Sequence, residues 1–317
     1  MSCPMCCVTD SCCPTKRLLQ RLEWTVLKRL DGQLQGDYRS LFRGAGLVFA
    51  DLREYQAHDD VRHIDWNVTA RMQTPYVRVH HEDREISAWF VVDVSPSMDF
   101  TSNQTSKRDV AIQIVTVLAS LLAKRGNRVG ALVYSAASPR ADIVIPTGQG
   151  RRHVLQLLHR LQAAAPRAST SSKTKPQATE LHHLLDQAAA LCKRRASVFV
   201  ISDFLSQTDS WKNSLARLSR RHDVLAVQIG DPAERQLPNV GMLVLQDAET
   251  GEQMLLDGND AGFRQRFEDT ANARQAGIQE ALSHAGSSHL SLMTDQALET
   301  CLIQFARLRK QRRLAHA

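Results

Sequence analysis

Asp93-Val94-Ser95-Pro96-Ser97 sets one carboxylate and two hydroxyls at alternate positions, where the apolar run Ile86 to Val94 gives out. In an extended chain, side chains at i, i+2 and i+4 point the same way. Asp93, Ser95 and Ser97 can therefore converge while Val94 turns back into protein. Three hard oxygen donors in one place suit Mg2+ or another hard divalent cation such as Mn2+ or Ca2+. A second apolar segment, Ser197 to Ser202, leads to Asp203. Asp93 and Asp203 together balance a divalent charge. Thr179, at the start of a helical stretch, can add a hydroxyl; capping that helix is an equally good use of it, and both can hold at once.

These residues need a scaffold that brings distant stretches together, and the apolar pattern predicts one. Continuous apolar runs at 86–94, 128–135 and 197–202, with 142–146, 224–229 and 289–293, read as strands, the longest of them covered on both faces. Between them, 109–124, 151–162, 179–194, 210–221 and 263–284 carry apolar residues at helical spacing, and 296–313 reads as a final helix. This alternation predicts an α/β fold, a doubly wound sheet with helices on both faces. In such sheets ligands bind in the crevice beyond the carboxyl ends of the strands, where Asp93 and Asp203 both fall. The segments around Glu249-Thr250-Gly251 read as a β-hairpin, and 163–178, rich in Ala, Ser, Thr, Lys and Pro, as a mobile connection.

Upstream, 15–31 reads as an amphipathic helix through Leu18, Leu19, Leu22, Val26, Leu27 and Leu30. Residues 46–85 are dense in Asp, Arg and Glu beside Tyr55 and Trp66, which suggests polar side chains ordered against each other. The expected organisation is a leader at 1–14, a helical and charged extension at 15–85, the α/β domain at 86–295 and a basic helix at 296–317.

The 317 residues carry a formal charge of +7, but the positive excess sits in 14–45 and 307–317, and the body between them is nearly neutral. A dedicated nucleic-acid binder would show a basic stripe on one face. The longest apolar stretch, Val110 to Ala123, is interrupted by Gln113, Thr116 and Ser120 and is too short to span a bilayer. With no secretory signal pattern at the N-terminus, the expected compartment is the cytoplasm. Cys3, Cys6, Cys7, Cys12 and Cys13 crowd the leader without a partner set at zinc-module spacing, while Cys192 and Cys301 stand alone in helical patterns where apolar packing is their expected role.

Enzyme readings find less support. Asp93 at a strand end resembles a phospho-accepting aspartate, yet Ser95 stands where haloacid-dehalogenase-type phosphatases need a second acid, and the acidic pair and lysine of response-regulator receivers are not found. There is no G-x-S-x-G elbow for a serine hydrolase. Gly148-x-Gly150-Arg151-Arg152 lacks the Lys-Ser/Thr of a P-loop. Adjacent histidines at 80–81 and 182–183 point in different directions and suit surface positions better than metal clusters.

Asp93-x-Ser95-x-Ser97, then Thr179, then Asp203 resemble the metal-ion-dependent adhesion site of von Willebrand factor A-type domains. In that family such residues surround a divalent ion, directly or through water, and an acidic side chain of a partner completes the sphere. The upstream block sharpens the match. Gly44-x-Gly46-x-x-Phe49, Asp51-x-Arg53-x-Tyr55, Asp59-Asp60-x-Arg62-x-Ile64-Asp65-Trp66 and Ala70-Arg71 look like the signature of domain-of-unknown-function family 58. Gly126-x-Arg128-Val129-Gly130, Ile201-Ser202-Asp203-Phe204 and Asp231-Pro232 continue it. His58 and Val48 depart from the family pattern, away from the proposed ligands. The resemblance implies a von Willebrand factor A-like domain over 86–295. It also implies Mg2+ at Asp93, Ser95, Ser97, Thr179 and Asp203, and a non-enzymatic role as a metal-dependent adaptor of a MoxR-type AAA+ ATPase in protein maturation or complex assembly. Two alternatives are a Mg2+-dependent phosphoryl transfer through Asp93, and a scaffold whose metal site is vestigial and whose basic C-terminal helix makes the contact.

Overall fold

The structure is a computed structural model that describes residues 51–56, 61, 64–79, 87–102, 105–135, 141, 143–164, 181–246 and 253–315. The cysteine-rich leader, the helix expected over 15–31, the His80-His81 pair, most of the 163–178 connection and Thr179 lie outside the described residues.

The charged block forms a small unit. Strand β1 (Asp51–Glu54) pairs antiparallel with β2 (Tyr76–Val79), with helix α1 (Trp66–Met72) between them in the chain. Asp65 begins α1 as its N-cap, its carboxylate accepting the N–H groups of Asn67 and Val68 at 3.0 and 3.3 Å. Trp66, beside these charged residues, is 68% exposed. As the first residue of a short helix with no buried positions, it projects outward.

The main sheet is built from β3 (Ser87–Asp93), β4 (Arg128–Tyr134), β5 (Ile143–Gly148), β6 (Ser197–Ser202), β7 (Asp223–Gly230) and β10 (Ser288–Met293), in the order β10-β7-β6-β3-β4-β5. All neighbours run parallel except β5, which pairs antiparallel with β4 at the edge. Its Pro146 is tolerated there because an edge strand has one row of N–H groups without ladder partners. The central strands are apolar along most of their length because both faces are covered, with polar residues at their ends and Gln228 within β7. Ala88, Phe90 and Val92 of β3 turn to one face, and Trp89 and Val91 to the other.

Helices α2 (Lys107–Lys124), α3 (Gly150–Ala163) and α7 (Leu298–Ala315) cover the first face; α4 (Leu181–Leu191), α5 (Thr208–Arg221) and α6 (Ala261–His284) cover the second. Helix α2 is apolar almost all round because it lies between β3 and the neighbouring α3, and the hydroxyl of Thr116 is satisfied inside it by the Ile112 carbonyl at 2.6 Å. The basic helix α7 is part of the same core through Leu298, Leu302, Phe305 and Ala306, and Arg309 grips Asp223 at the start of β7 at 2.9 and 3.1 Å. Strands β8 (Met242–Gln246) and β9 (Gln253–Asp257) form the expected hairpin, apart from the main sheet. The mixed α/β fold with helices on both faces agrees with the sequence pattern. Among the described residues, no helix is long and apolar enough to cross a membrane.

Candidate ion-binding site at the switch point of the sheet

Strands β3 and β6 are neighbours at the middle of the sheet, yet the chain leaves them in opposite directions. After β3 it enters α2 on one face; after β6 it enters α5 on the other. Their carboxyl ends consequently bound a crevice that no connection crosses, the place where doubly wound sheets hold ligands. Asp93 closes β3, Ser202 closes β6, and Asp203 follows directly.

The Asp93 side chain is fully buried. Its Oδ1 accepts the Ser95 N–H at 2.9 Å, and its Oδ2 accepts the Ser202 hydroxyl at 2.8 Å. The bond to Ser95 is an Asx turn, which bends the chain out of the strand immediately. A 3-10 turn over Pro96–Asp99 follows, with Ser95 at its N-cap, and the hydroxyls of Ser95 and Ser97 meet at 3.1 Å. Asp93, Ser95 and Ser97 do converge, but through this turn rather than through the extended alternation expected from the sequence.

Burial pushes the Asp93 pKa up to about 6, the Asp203 charge adds to the rise, and the hydrogen bonds from Ser95 and Ser202 hold it back. The Asp203 carboxylate thus lies close enough to oppose the ionisation of Asp93. Asp203 is directed by an unusual backbone. The next residue, Phe204, adopts φ 57°, a left-handed conformation that costs a bulky side chain energy. The tight turn lets the Leu205 N–H reach Asp203 Oδ1 at 3.2 Å and the Phe204 N–H reach the Ser202 hydroxyl at 3.1 Å. Buried edge-to-face packing of Phe204 on Trp211, with ring centroids 5.2 Å apart, holds the turn in place.

Two basic residues at the start of α2 complete the arrangement. Ser106 caps the helix in a reciprocal box with Asp109, so α2 begins at Lys107, earlier than the expected 109. Lys107 is wholly buried, its Nζ 2.8 Å from Asp203 Oδ2 and 2.6 Å from Glu234 Oε1. Arg108 braces the Asp93 loop from outside: one terminal nitrogen donates to the Val94 carbonyl at 3.0 Å, the other pairs with Asp99 at 2.6 Å. Asp231, after β7, is fully buried and ties three segments. It accepts the Ser102 N–H at 3.2 Å, the Thr294 hydroxyl at 2.8 Å and the Ala233 N–H at 2.9 Å. Burial alone would raise its pKa, but these bonds outweigh it and hold the carboxyl below its ordinary value. A cleft of about 180 Å³ opens beside Asp203 and Glu234, flanked by Gln228, Arg235, Phe267 and Arg274.

Of the residues proposed from sequence, Asp93, Ser95, Ser97 and Asp203 lie together, while Thr179 falls outside the described residues. The donor set is two carboxylates and two hydroxyls. No group of three or more His, Cys, Asp or Glu suited to a metal forms among the described residues. Cys192 is a buried thiol whose pKa burial raises to about 11, which fits its packing role. Lys107, Ser202, Glu234 and Asp231 were not singled out as site residues. Ser106-x-x-Asp109 and Asp231-x-x-Glu234 are both capping-box patterns, and the first would have placed Lys107 inside the first turn of α2.

Among known proteins, the chain is 36% identical over 297 residues to uncharacterized proteins of Mycobacterium tuberculosis and Mycobacterium bovis, across 94% of this chain and 90% of each of theirs. An uncharacterized protein of Mycobacterium avium is 33% identical over 171 residues, 54% of this chain and 96% of that one. The crystal structure of the conserved hypothetical protein BatB from Bacteroides thetaiotaomicron superposes with a TM-score of 0.47 at 16% identity, across 71% of this chain and 99% of that one. The model of the family described as "Protein of unknown function DUF58" matches residues 51–277, and the chain belongs to that family.

Proposed function

We propose that this protein is a non-enzymatic, metal-dependent interaction module with a von Willebrand factor A-like domain. In this reading it serves in the cytoplasm as an adaptor of a MoxR-type AAA+ ATPase in protein maturation or complex assembly. Asp93, Ser95, Ser97 and Asp203, with Thr179, are its ligands for Mg2+ or a related divalent ion. The observation that carries the reading is the pair of strand-end carboxylates on either side of the switch point, flanked by the Ser95 and Ser97 hydroxyls. The residues fit such an ion: all donors are hard oxygens, and positive charge between Asp93 and Asp203 would relieve the opposition that the Asp203 charge sets to Asp93 ionisation. A bound divalent ion would supply a Lewis-acidic anchor for a carboxylate of the partner. The partner class follows from the family resemblance stated above.

The protein's own groups prepare the site. Ser202 and the Ser95 N–H orient the Asp93 carboxylate, Arg108 holds the loop that presents Ser97, and the turn at Phe204 aims Asp203. Phosphoryl transfer is less well supported, because Ser95 stands where haloacid-dehalogenase-type phosphatases need a second acid.

The test is capture from native extract with Mg2+ against the same extract with EDTA, using the full chain as bait. An AAA+ ATPase that appears only with Mg2+, and is lost with Asp93→Ala while circular dichroism shows the fold retained, is the expected result. Equal capture with chelator present would overturn metal dependence.

A further inference from the structure

Lys107 stands where two physical effects oppose an ammonium group. It is the first residue of α2, facing the positive end of the helix dipole, and its side chain has no exposed surface. Asp203 and Glu234 answer both. Burial disfavours the charged lysine, but the two carboxylates outweigh it and raise the Lys107 pKa above its ordinary value. Glu234 is itself fixed, because its other oxygen accepts the Asp231 N–H at 3.0 Å and leaves Oε1 for the lysine. Asp203, by contrast, is shared between this ammonium and the proposed ion site.

We propose that Lys107 is a built-in counter-cation which occupies Asp203 while the site holds no divalent ion and withdraws to Glu234 alone when Asp203 turns to one. The proposal rests on the reading of Asp93, Ser95, Ser97 and Asp203 as ion ligands. Loading is then a displacement rather than a simple addition. A divalent ion has the charge to draw Asp203 away from an ammonium, whereas a monovalent ion gains no such advantage. Lys107 thereby lowers affinity and favours divalent over monovalent ions. It touches the ligand Asp203 and does not itself hold the ion.

Calorimetric titration of the metal-free full chain with MgCl2 and with MnCl2, at constant ionic strength, tests this. Lys107→Met should bind each ion about tenfold more tightly or better, because a positive charge adjoining a ligand is removed. Glu234→Gln should weaken binding in the wild-type background, where the lysine loses its retreat, and have a smaller effect beside Lys107→Met. In the wild-type chain, the 15N resonance of the Lys107 ammonium should shift when Mg2+ saturates the site, a readout that needs no variant to fold. If wild type binds ions and Lys107→Met binds equally or more weakly, the lysine proposal is overturned and the ion site stands. An unmoved ammonium resonance at saturation has the same meaning. If neither wild type nor Lys107→Met binds either ion, the ion site itself falls and the lysine's role falls with it.

Discussion

The hydroxyl of Ser202 donates to Asp93 Oδ2 at 2.8 Å, joining the ends of two adjacent strands that are 109 positions apart in the chain. The bond lies at the point where the sheet's connections diverge, and it gives a buried carboxylate its second polar partner. Removing one partner of a buried hydrogen bond costs more than the bond contributes, because the other partner stays buried and unsatisfied.

Ser202→Ala is therefore expected to destabilise the metal-free protein by about 1–3 kcal/mol, with the larger effect where Asp93 is ionised. The Phe204 N–H loses the same acceptor, which adds to the cost. Urea unfolding well above and well below pH 6 measures both features. A variant as stable as wild type at the higher pH would show that the bond is not needed to hold Asp93.

Asp93 makes metal-free stability depend on pH with a sign opposite to that of a salt-bridged aspartate. Its pKa is about 6 in the folded chain against the ordinary 3.8, so between these values the folded state keeps a proton that the unfolded state has released. Stability from this group is greatest below 3.8 and declines as pH rises towards 6, by on the order of 2–3 kcal/mol in all. Asp93→Asn should flatten that segment of the profile and be the more stable protein near neutrality. Unfolding in EDTA across the window checks it; a difference between wild type and variant that does not change with pH would refute the assignment.

The turn after Asp203 offers a comparison of two substitutions. Phe204→Ala loses buried contact with Trp211 and should cost about 3–5 kcal/mol. Phe204→Gly loses the same contact and elsewhere would fare worse by up to about 1 kcal/mol through chain entropy, but at φ 57° glycine is free of strain. The glycine variant should accordingly be no less stable than the alanine variant. Thermal unfolding ranks them, and a clearly weaker glycine variant would mean that the backbone stores no strain at Phe204.

The sheet is readable in the sequence because its central strands are covered on both faces and hold continuous apolar runs, as in Phe90-Val91-Val92 and Val198 to Ile201. Asp93 and Asp203 stood out because each ends such a run. What the pattern does not carry is the partnering of polar groups across the crevice. Ser202 looks like an ordinary strand-end residue until β6 lies beside β3. Apolar periodicity does not mark Lys107, because it begins after the helix does, and only the cap at Ser106 marks the true start. Strand alternation predicts the convergence of Ser95 and Ser97 by a different geometry from the one found, since the side chain of Asp93 itself initiates the bend. Nor does the sequence show that the Asp65 cap sets Trp66 at the exposed start of a short helix.

Asp231 joins the segment after β3, through Ser102, to Thr294 just before α7. The segment that follows the Ser97 turn and the turn leading into α7 are in consequence tied across the carboxyl ends of β3, β7 and β10. One buried carboxylate therefore fixes the spacing between the two segments, and the loss of Asp231 would release both together.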